Sequence, residues 1–375
     1  MMDLSSYRKL FPVTRSAIYL NHAAVSPFST RVSEAIETQI KSRSEPPVDI
    51  YRTFLEERRL LKENIAELIN GRPENIAIIP NTSTGLNWLA NGFSWQPGDR
   101  ILLVEGEFPS NIYPFLNLKR KGVTIDFVSP RKGIIGIEEI APKIDQKTRL
   151  FSVSYVQFLN GFRIDLTAVG QLCQANDVLF SVDGIQGVGA VRLDVEAAGI
   201  DFLSNGGHKW LMGPMGCGFM YLSPHLHNIL QPVFAGWLSV KNSWDFLEYR
   251  LDFLDDAERY EPGTPDFLGI VGLRAATGLL IEAGSAKIEG HLLGLGEYLI
   301  EALESRGFTY TGCRDKKHRA GIYSFRHVRA KEIFDHLAKN QIYISLREGV
   351  IRISPHFYNT RSELEELMRT IEKIL

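Results

Sequence analysis

The chain has 375 residues, 44% hydrophobic and 23% charged, enough to bury a sizeable core and to divide into two domains. Its 42 Lys+Arg and 44 Asp+Glu are interspersed and leave a formal net charge of -2, which excludes nucleic acid or a membrane as an electrostatic partner. Three scattered cysteines, Cys173, Cys217 and Cys313, exclude a disulfide framework or a zinc site and point to a reducing compartment.

The opening MMDLSSYRKLFPVTRS lacks the apolar core of a secretory signal, and no apolar run approaches the ~18 residues of a membrane span, so a cytoplasmic enzyme is expected. Ile18 to Ala24 reaches a turn at Ser26-Pro27; by periodicity this is a strand end and a helix cap. Apolar stripes predict helices over 30–43 and 51–70. In the second, Phe54, Leu61, Ile65 and Leu68 face a core, while Glu56, Glu57, Arg58 and Lys62 fall on other faces.

A strand over 76–79 leads into Pro80-Asn81-Thr82-Ser83-Thr84-Gly85 and a helical Leu86 to Ala90. Such a hydroxyl-rich turn at a helix N-terminus can cradle a phosphate, because free backbone N–H groups and the helix dipole point there. Thr82 and Ser83 are the candidate contacts, although Ser and Thr are also ordinary N-caps. Strands over 99–104, 124–128 and 150–156 and a helix over 166–176 continue a βα alternation, the pattern of an α/β fold with a mainly parallel sheet. Phe108 lies in the loop after the first of these strands, and Tyr155 near the end of the third.

The apolar run 178–182 ends at Asp183-Gly184, which sets an acid at a strand's carboxyl end. A strand over 201–204 runs into Asn205-Gly206-Gly207-His208-Lys209, and another over 218–222 follows a Gly/Pro-rich turn. Ligands of open α/β sheets bind outside the carboxyl ends of strands, where Asp183 and Lys209 would meet. A lysine amine can form a Schiff base with an aldehyde cofactor. Pyridoxal phosphate then acts as an electron sink if an acid keeps its pyridine nitrogen protonated. Read singly, Lys209 is a solvated charge and Asp183-Gly184 a turn; their combination points to this chemistry.

Beyond Ser223, the aromatic residues Phe234, Trp237, Trp244 and Phe246 read as pocket walls or as buried linker. A helix over 269–284 joins a C-terminal α+β region with strands over 321–325 and 342–346 and helices over 330–339 and 362–374.

Ile200-Asp201-Phe202-Leu203, Gly206-Gly207-His208-Lys209 and Gly216-Cys217-Gly218-Phe219-Met220 together resemble the pyridoxal-phosphate attachment signature of class V aminotransferases. That group includes cysteine desulfurases, selenocysteine lyases, isopenicillin N epimerase-like proteins and kynureninases. Arg259-Tyr260-Glu261-Pro262-Gly263-Thr264-Pro265 and Arg352-Ile353-Ser354 with the trailing Tyr358-Asn359-Thr360 extend the resemblance, which runs from about Tyr19 to Thr360.

The resemblance implies the type I fold of pyridoxal-phosphate enzymes. Residues 1–20 would pack with a small domain, 21–250 form a large cofactor domain with a mainly parallel seven-stranded sheet, and 251–375 form a smaller α+β domain with a linker helix. It implies a catalytic set of Lys209, Asp183 and His208, with Gln186 on the cofactor's ring hydroxyl and Thr82 and Ser83 on its phosphate. Thr264 would reach the neighbouring site of a homodimer, Arg352 would hold the substrate α-carboxylate, and Asn21 and His22 would line the substrate entrance.

Four departures matter. Phe108 stands where desulfurases have a histidine; its ring can stack on the cofactor but carries no proton. Tyr155 replaces an asparagine, so that Tyr155 or Gln157 is expected at the ring hydroxyl. Gly206 replaces a serine, with Ser204 as the substitute. The desulfurase cysteine just before the anchoring arginine is missing, since Gln341 to Arg352 reads QIYISLREGVIR. The expectation is therefore a pyridoxal-phosphate enzyme acting on a small amino acid by transamination or by carbon–sulfur or β-elimination lyase chemistry, and not a persulfide-forming desulfurase. The alternatives are a racemase or epimerase like isopenicillin N epimerase and a catalytically silent cofactor-binding protein. No metal is expected.

Overall fold

The computed structural model describes residues 4–48 and 51–375; the first three residues of the expected N-terminal segment lie outside this range. In chain order the strands are β1 (Ile18–Tyr19), β2 (Ile76–Ile79), β3 (Arg100–Val104), β4 (Thr124–Val128), β5 (Thr148–Ser154), β6 (Leu179–Asp183) and β7 (Phe202–Gly206). They continue with β8 (Gly218–Leu222), β9 (Thr309–Tyr310), β10 (Tyr323–Arg326), β11 (Ile342–Tyr343), β12 (Ser345–Arg347) and β13 (Val350–Ile353).

Seven strands form one sheet in the order β2-β8-β7-β6-β5-β3-β4. It is parallel from β7 to β4, and only β8 runs against its neighbours. The apolar runs seen in the sequence reflect cover on both faces. Leu179 and Leu150 enter one hydrophobic cluster, and Phe180 and Phe151, pointing the other way, enter another. The smaller sheet, β12-β13-β10-β9, is antiparallel. Its cluster includes Leu299 and Leu303 of the helix Ser285–Glu304, Ile333 of Ala330–Lys339 and Leu367 of Arg361–Glu372. This is the α/β arrangement expected from the sequence. β1 pairs in parallel with β11, so the N-terminal segment is stitched to the C-terminal end of the chain.

Three differences from the sequence reading have physical reasons. The helix after β2 begins at Thr82 rather than Leu86, because the Asn81 side chain caps it by accepting from Thr84 N at 2.9 Å. Ser285–Glu304, 20 residues long, was not expected to be a helix; its glycines depress helix propensity. One of them has a packing use, since a Cβ on Gly296 would lie 1.8 Å from the Tyr323 ring. Finally, Arg58 and Lys62 of Tyr51–Ile69 are buried, at 8% and 4% exposure. They pair with Glu258 and Glu261, and Glu261 also accepts from Ile78 N of β2 at 3.0 Å. Among the described residues no single helix is long and apolar enough to cross a membrane.

Candidate active site

β5 and β6 end together and β7 runs two residues further: Ser154 stands opposite Asp183, and Asp183 opposite Ser204. Asp183 is 1% exposed. Its Oδ1 accepts from Ile185 N at 3.0 Å, and its Oδ2 is buried without a partner. Burial pushes the carboxyl up to about 7, against the pull of the Ile185 N–H; the nearby Glu107 adds to the rise and Lys209 opposes it.

Lys209 lies in the turn between β7 and β8. Ser26 fixes that turn, its N–H donating to His208 O at 2.9 Å and its hydroxyl to Lys209 O at 2.5 Å. Burial lowers the Lys209 amine to about 8; Asp183 opposes this, while the charges of Arg352 and Arg347 add to it. Its Nζ lies 5.5 Å from the ring centroid of Phe108. Phe108 is 42% exposed and meets Phe158 edge-on. His208 is half-buried over Gly206, and burial followed by the Lys209 charge lowers its pKa.

Arg352 is 3% exposed on β13. Its Nη1 donates to Phe158 O at 2.7 Å and its Nη2 to Ser345 Oγ at 3.4 Å, while Nε is buried without a partner. Burial, then the neighbouring Arg347, lowers its pKa to about 10. Asn21 stands behind it, accepting from Ser345 Oγ at 2.9 Å.

The expected phosphate contacts sit at the N-terminus of Thr82–Gly92. Thr82 Oγ1 is buried without a partner, and Ser83 Oγ donates to Ser110 Oγ at 2.8 Å. Thr264 is exposed on the rim of a cavity of about 410 Å³ that Thr84, Trp88 and Phe234 also line.

Other expected positions are placed elsewhere. Tyr155 is the first residue past the end of β5. Its hydroxyl donates to Arg192 O at 2.6 Å, and a Cβ on Gly187 would strike its ring at 2.2 Å, so it packs rather than reaching a cofactor hydroxyl. His22 is fully buried, with Nδ1 on Ser354 O and Nε2 on Tyr358 OH, both at 2.8 Å, and cannot line a substrate entrance. The Gln186 carboxamide accepts from Trp210 Nε1 at 2.8 Å and donates to Ala23 O at 3.0 Å, which leaves one N–H free. Ser204 donates to Thr82 O at 2.9 Å, which ties it to the cradle's backbone.

Two further residues join the site. Glu107 is 7% exposed and accepts from Ser154 N and Gln157 Nε2, both at 2.7 Å, and from the Ser154 hydroxyl; burial raises its pKa. An acid near the carboxyl end of a parallel strand is a signal of this kind, but after β3 it marks Glu105 and Glu107 alike, and only the folded contacts single out Glu107. Arg347 lies on β12, and its Arg-Glu-Gly-Val context is a hairpin signal.

These residues fit pyridoxal phosphate. An unpaired buried carboxylate oxygen suits a protonated pyridine nitrogen, a desolvated amine suits the aldehyde, and the orphaned Thr82 hydroxyl at a helix N-terminus suits the phosphate.

The family model for aminotransferase class-V matches residues 18–367. The chain is 26% identical over 368 residues to an uncharacterized aminotransferase, YcbU, of Bacillus subtilis, covering 98% of this chain and 96% of that protein. It is 29% identical over 399 positions to a probable cysteine desulfurase of Methanothermobacter thermautotrophicus, covering 100% of this chain and 98% of the relative. An apo cysteine desulfurase from Thermococcus onnurineus shares the fold, with a TM-score of 0.92 at 24% identity over 100% of this chain and 98% of that one. With its type I fold and a family match over 18–367, the chain belongs to the aminotransferase class-V family and is a pyridoxal-phosphate-dependent enzyme.

Proposed function

We propose that the protein acts at the α-carbon of a small amino acid, by transamination or by β-elimination that includes carbon–sulfur cleavage, without forming a persulfide on a thiol of its own. One observation carries this reading: Arg352 is a buried guanidinium with no acidic partner among the described residues, near enough to Lys209 for its charge to depress the amine. Such a group is an anchor for a carboxylate brought by a ligand.

Arg352 would bind the α-carboxylate through parallel hydrogen bonds and so hold the Cα–H toward Lys209. The Lys209 amine, lowered to about 8, would take the α-proton at Nζ. Asp183 Oδ2 would hold the pyridine nitrogen, and Phe108 would cover the ring face and exclude water. Bound pyridoxal phosphate supplies the sink for the electron pair left at the α-carbon.

The cysteines support the negative half of the proposal. All three are free and buried, and none lies between 341 and 352. Burial pushes the Cys173 thiol up to about 12 and raises Cys217 as well, which leaves both poor nucleophiles. Unpaired thiols also suit a reducing compartment such as the cytoplasm. A homodimer is part of the reading, with the exposed Thr264 completing the partner site.

The test loads the protein with pyridoxal phosphate and follows the visible absorbance of the lysine-bound cofactor. Amino acids are then offered one at a time, and keto acid, ammonia and sulfide are assayed. Keto acid or ammonia from a small amino acid is expected, and Lys209→Ala should lose the absorbance band. Persulfide accumulating on a protein cysteine would refute the assignment.

A further inference from the structure

The hairpin of β12 and β13 carries a second arginine on the same face as Arg352. Ser345 stands opposite Arg352, and Arg347 opposite Val350. Residues directly opposed in an antiparallel pair share a face, as do residues two apart on one strand. Arg347 and Arg352 are therefore diagonal neighbours, with Cα atoms about 7–8 Å apart, and Ser345 lies between them on that face.

The hairpin is tightly closed. Its two turn residues, Glu348 and Gly349, have φ of 48° and 73°, the left-handed pair of a type I′ turn, which sets the register and so the position of Arg347. Neither arginine pairs with an Asp or Glu among the described residues, although 24 such ion pairs form elsewhere. Arg352 reaches Phe158 O at 2.7 Å, Phe158 meets Phe108 edge-on, and Lys209 Nζ lies 5.5 Å from the Phe108 ring, so that Lys209, Arg352 and its diagonal neighbour Arg347 gather three cations at one site. A substrate α-carboxylate offsets one guanidinium only.

We infer that Arg347 determines specificity by receiving a second anionic group, so that the preferred substrate is a short amino acid with an acidic side chain. This rests on the reading of Arg352 as the α-carboxylate anchor. Arg347 is exposed, which places the second anion toward the mouth of the site, where the attraction is screened by salt. A planar guanidinium can take a carboxylate in two parallel bonds.

The test titrates the pyridoxal-phosphate-loaded protein with L-aspartate, L-glutamate, L-alanine and L-serine, reading apparent Kd from the change in cofactor absorbance. At low ionic strength an acidic amino acid should bind about tenfold tighter than the neutral ones, and the preference should shrink as salt is added. Arg347→Gln should remove the preference and leave L-alanine binding within about twofold, while Arg347→Lys should restore part of it. Equal affinities in the unmodified protein, or equal losses for acidic and neutral ligands in Arg347→Gln, would overturn the inference and leave Arg352 as an anchor. If no amino acid moves the absorbance, the anchor reading falls as well.

Discussion

Replacing Arg352 by glutamine tests the anchor directly. A guanidinium has five N–H donors, and here Nη1 is committed to Phe158 O at 2.7 Å and Nη2 to Ser345 Oγ at 3.4 Å. Three donors remain, including the buried, unpartnered Nε, enough for two parallel bonds to a carboxylate. Charge-assisted hydrogen bonds contribute about 1.5–3 kcal/mol each, and ordering the ligand offsets roughly half of the pair. The net is about 1.5–3 kcal/mol, or roughly 10- to 150-fold in Kd. Glutamine keeps an N–H for Phe158 O but loses the charge and the fork. The assay is titration of the loaded protein with an amino acid that perturbs its absorbance, at matched cofactor content. A Kd within about threefold of the unmodified protein would refute the argument, because the guanidinium would then not be bound to the ligand.

The other expectations concern the frame and the protons. Glu261→Gln strips a buried carboxylate from Arg58, Lys62 and Ile78 N and should lower stability by about 3–5 kcal/mol, read as a shift in the urea midpoint. His356 is held neutral, with Nε2 donating to Trp210 O at 3.0 Å and Nδ1 accepting from Phe357 N at 2.8 Å, and burial lowers its pKa from 6.5 to about 4. Between these values the unfolded chain binds a proton that the folded one does not. Stability should therefore fall as pH drops through that window, by about 3 kcal/mol at its lower end, and His356→Gln should flatten the loss. Capture of pyridoxal phosphate by the cofactor-free protein needs a neutral Lys209. With the amine at about 8, the rate should rise with pH by about tenfold between pH 7 and 9 in a stopped-flow record, and Lys209→Arg should show no capture.

What could be read beforehand was whatever depends on neighbours close in sequence. The apolar runs of β3, β5 and β6 announce buried strands, and the acid that ends β6 announces itself by position. What could not be read depends on partners far along the chain. Arg58 and Lys62 look like a solvated helix face until Glu258 and Glu261, some 200 residues on, are folded against them. Glu107 looks like a loop residue until Ser154 and Gln157 close around it. Tyr155 stands where the resemblance sets an asparagine, and its partners, Arg192 O and Gly187, lie more than 30 residues further along the chain. The glycine-rich Ser285–Glu304 contradicts helix propensity because Gly296 answers to the Tyr323 ring instead.

The bonds from Ser26 to the main chain of His208 and Lys209, and from His356 to the carbonyl of Trp210, immobilise the root of the lysine from both directions. Its freedom is left to the four-carbon stem alone. The amine then changes position by rotations about the single bonds of that stem. The nitrogen sweeps an arc about a point that these three hydrogen bonds hold.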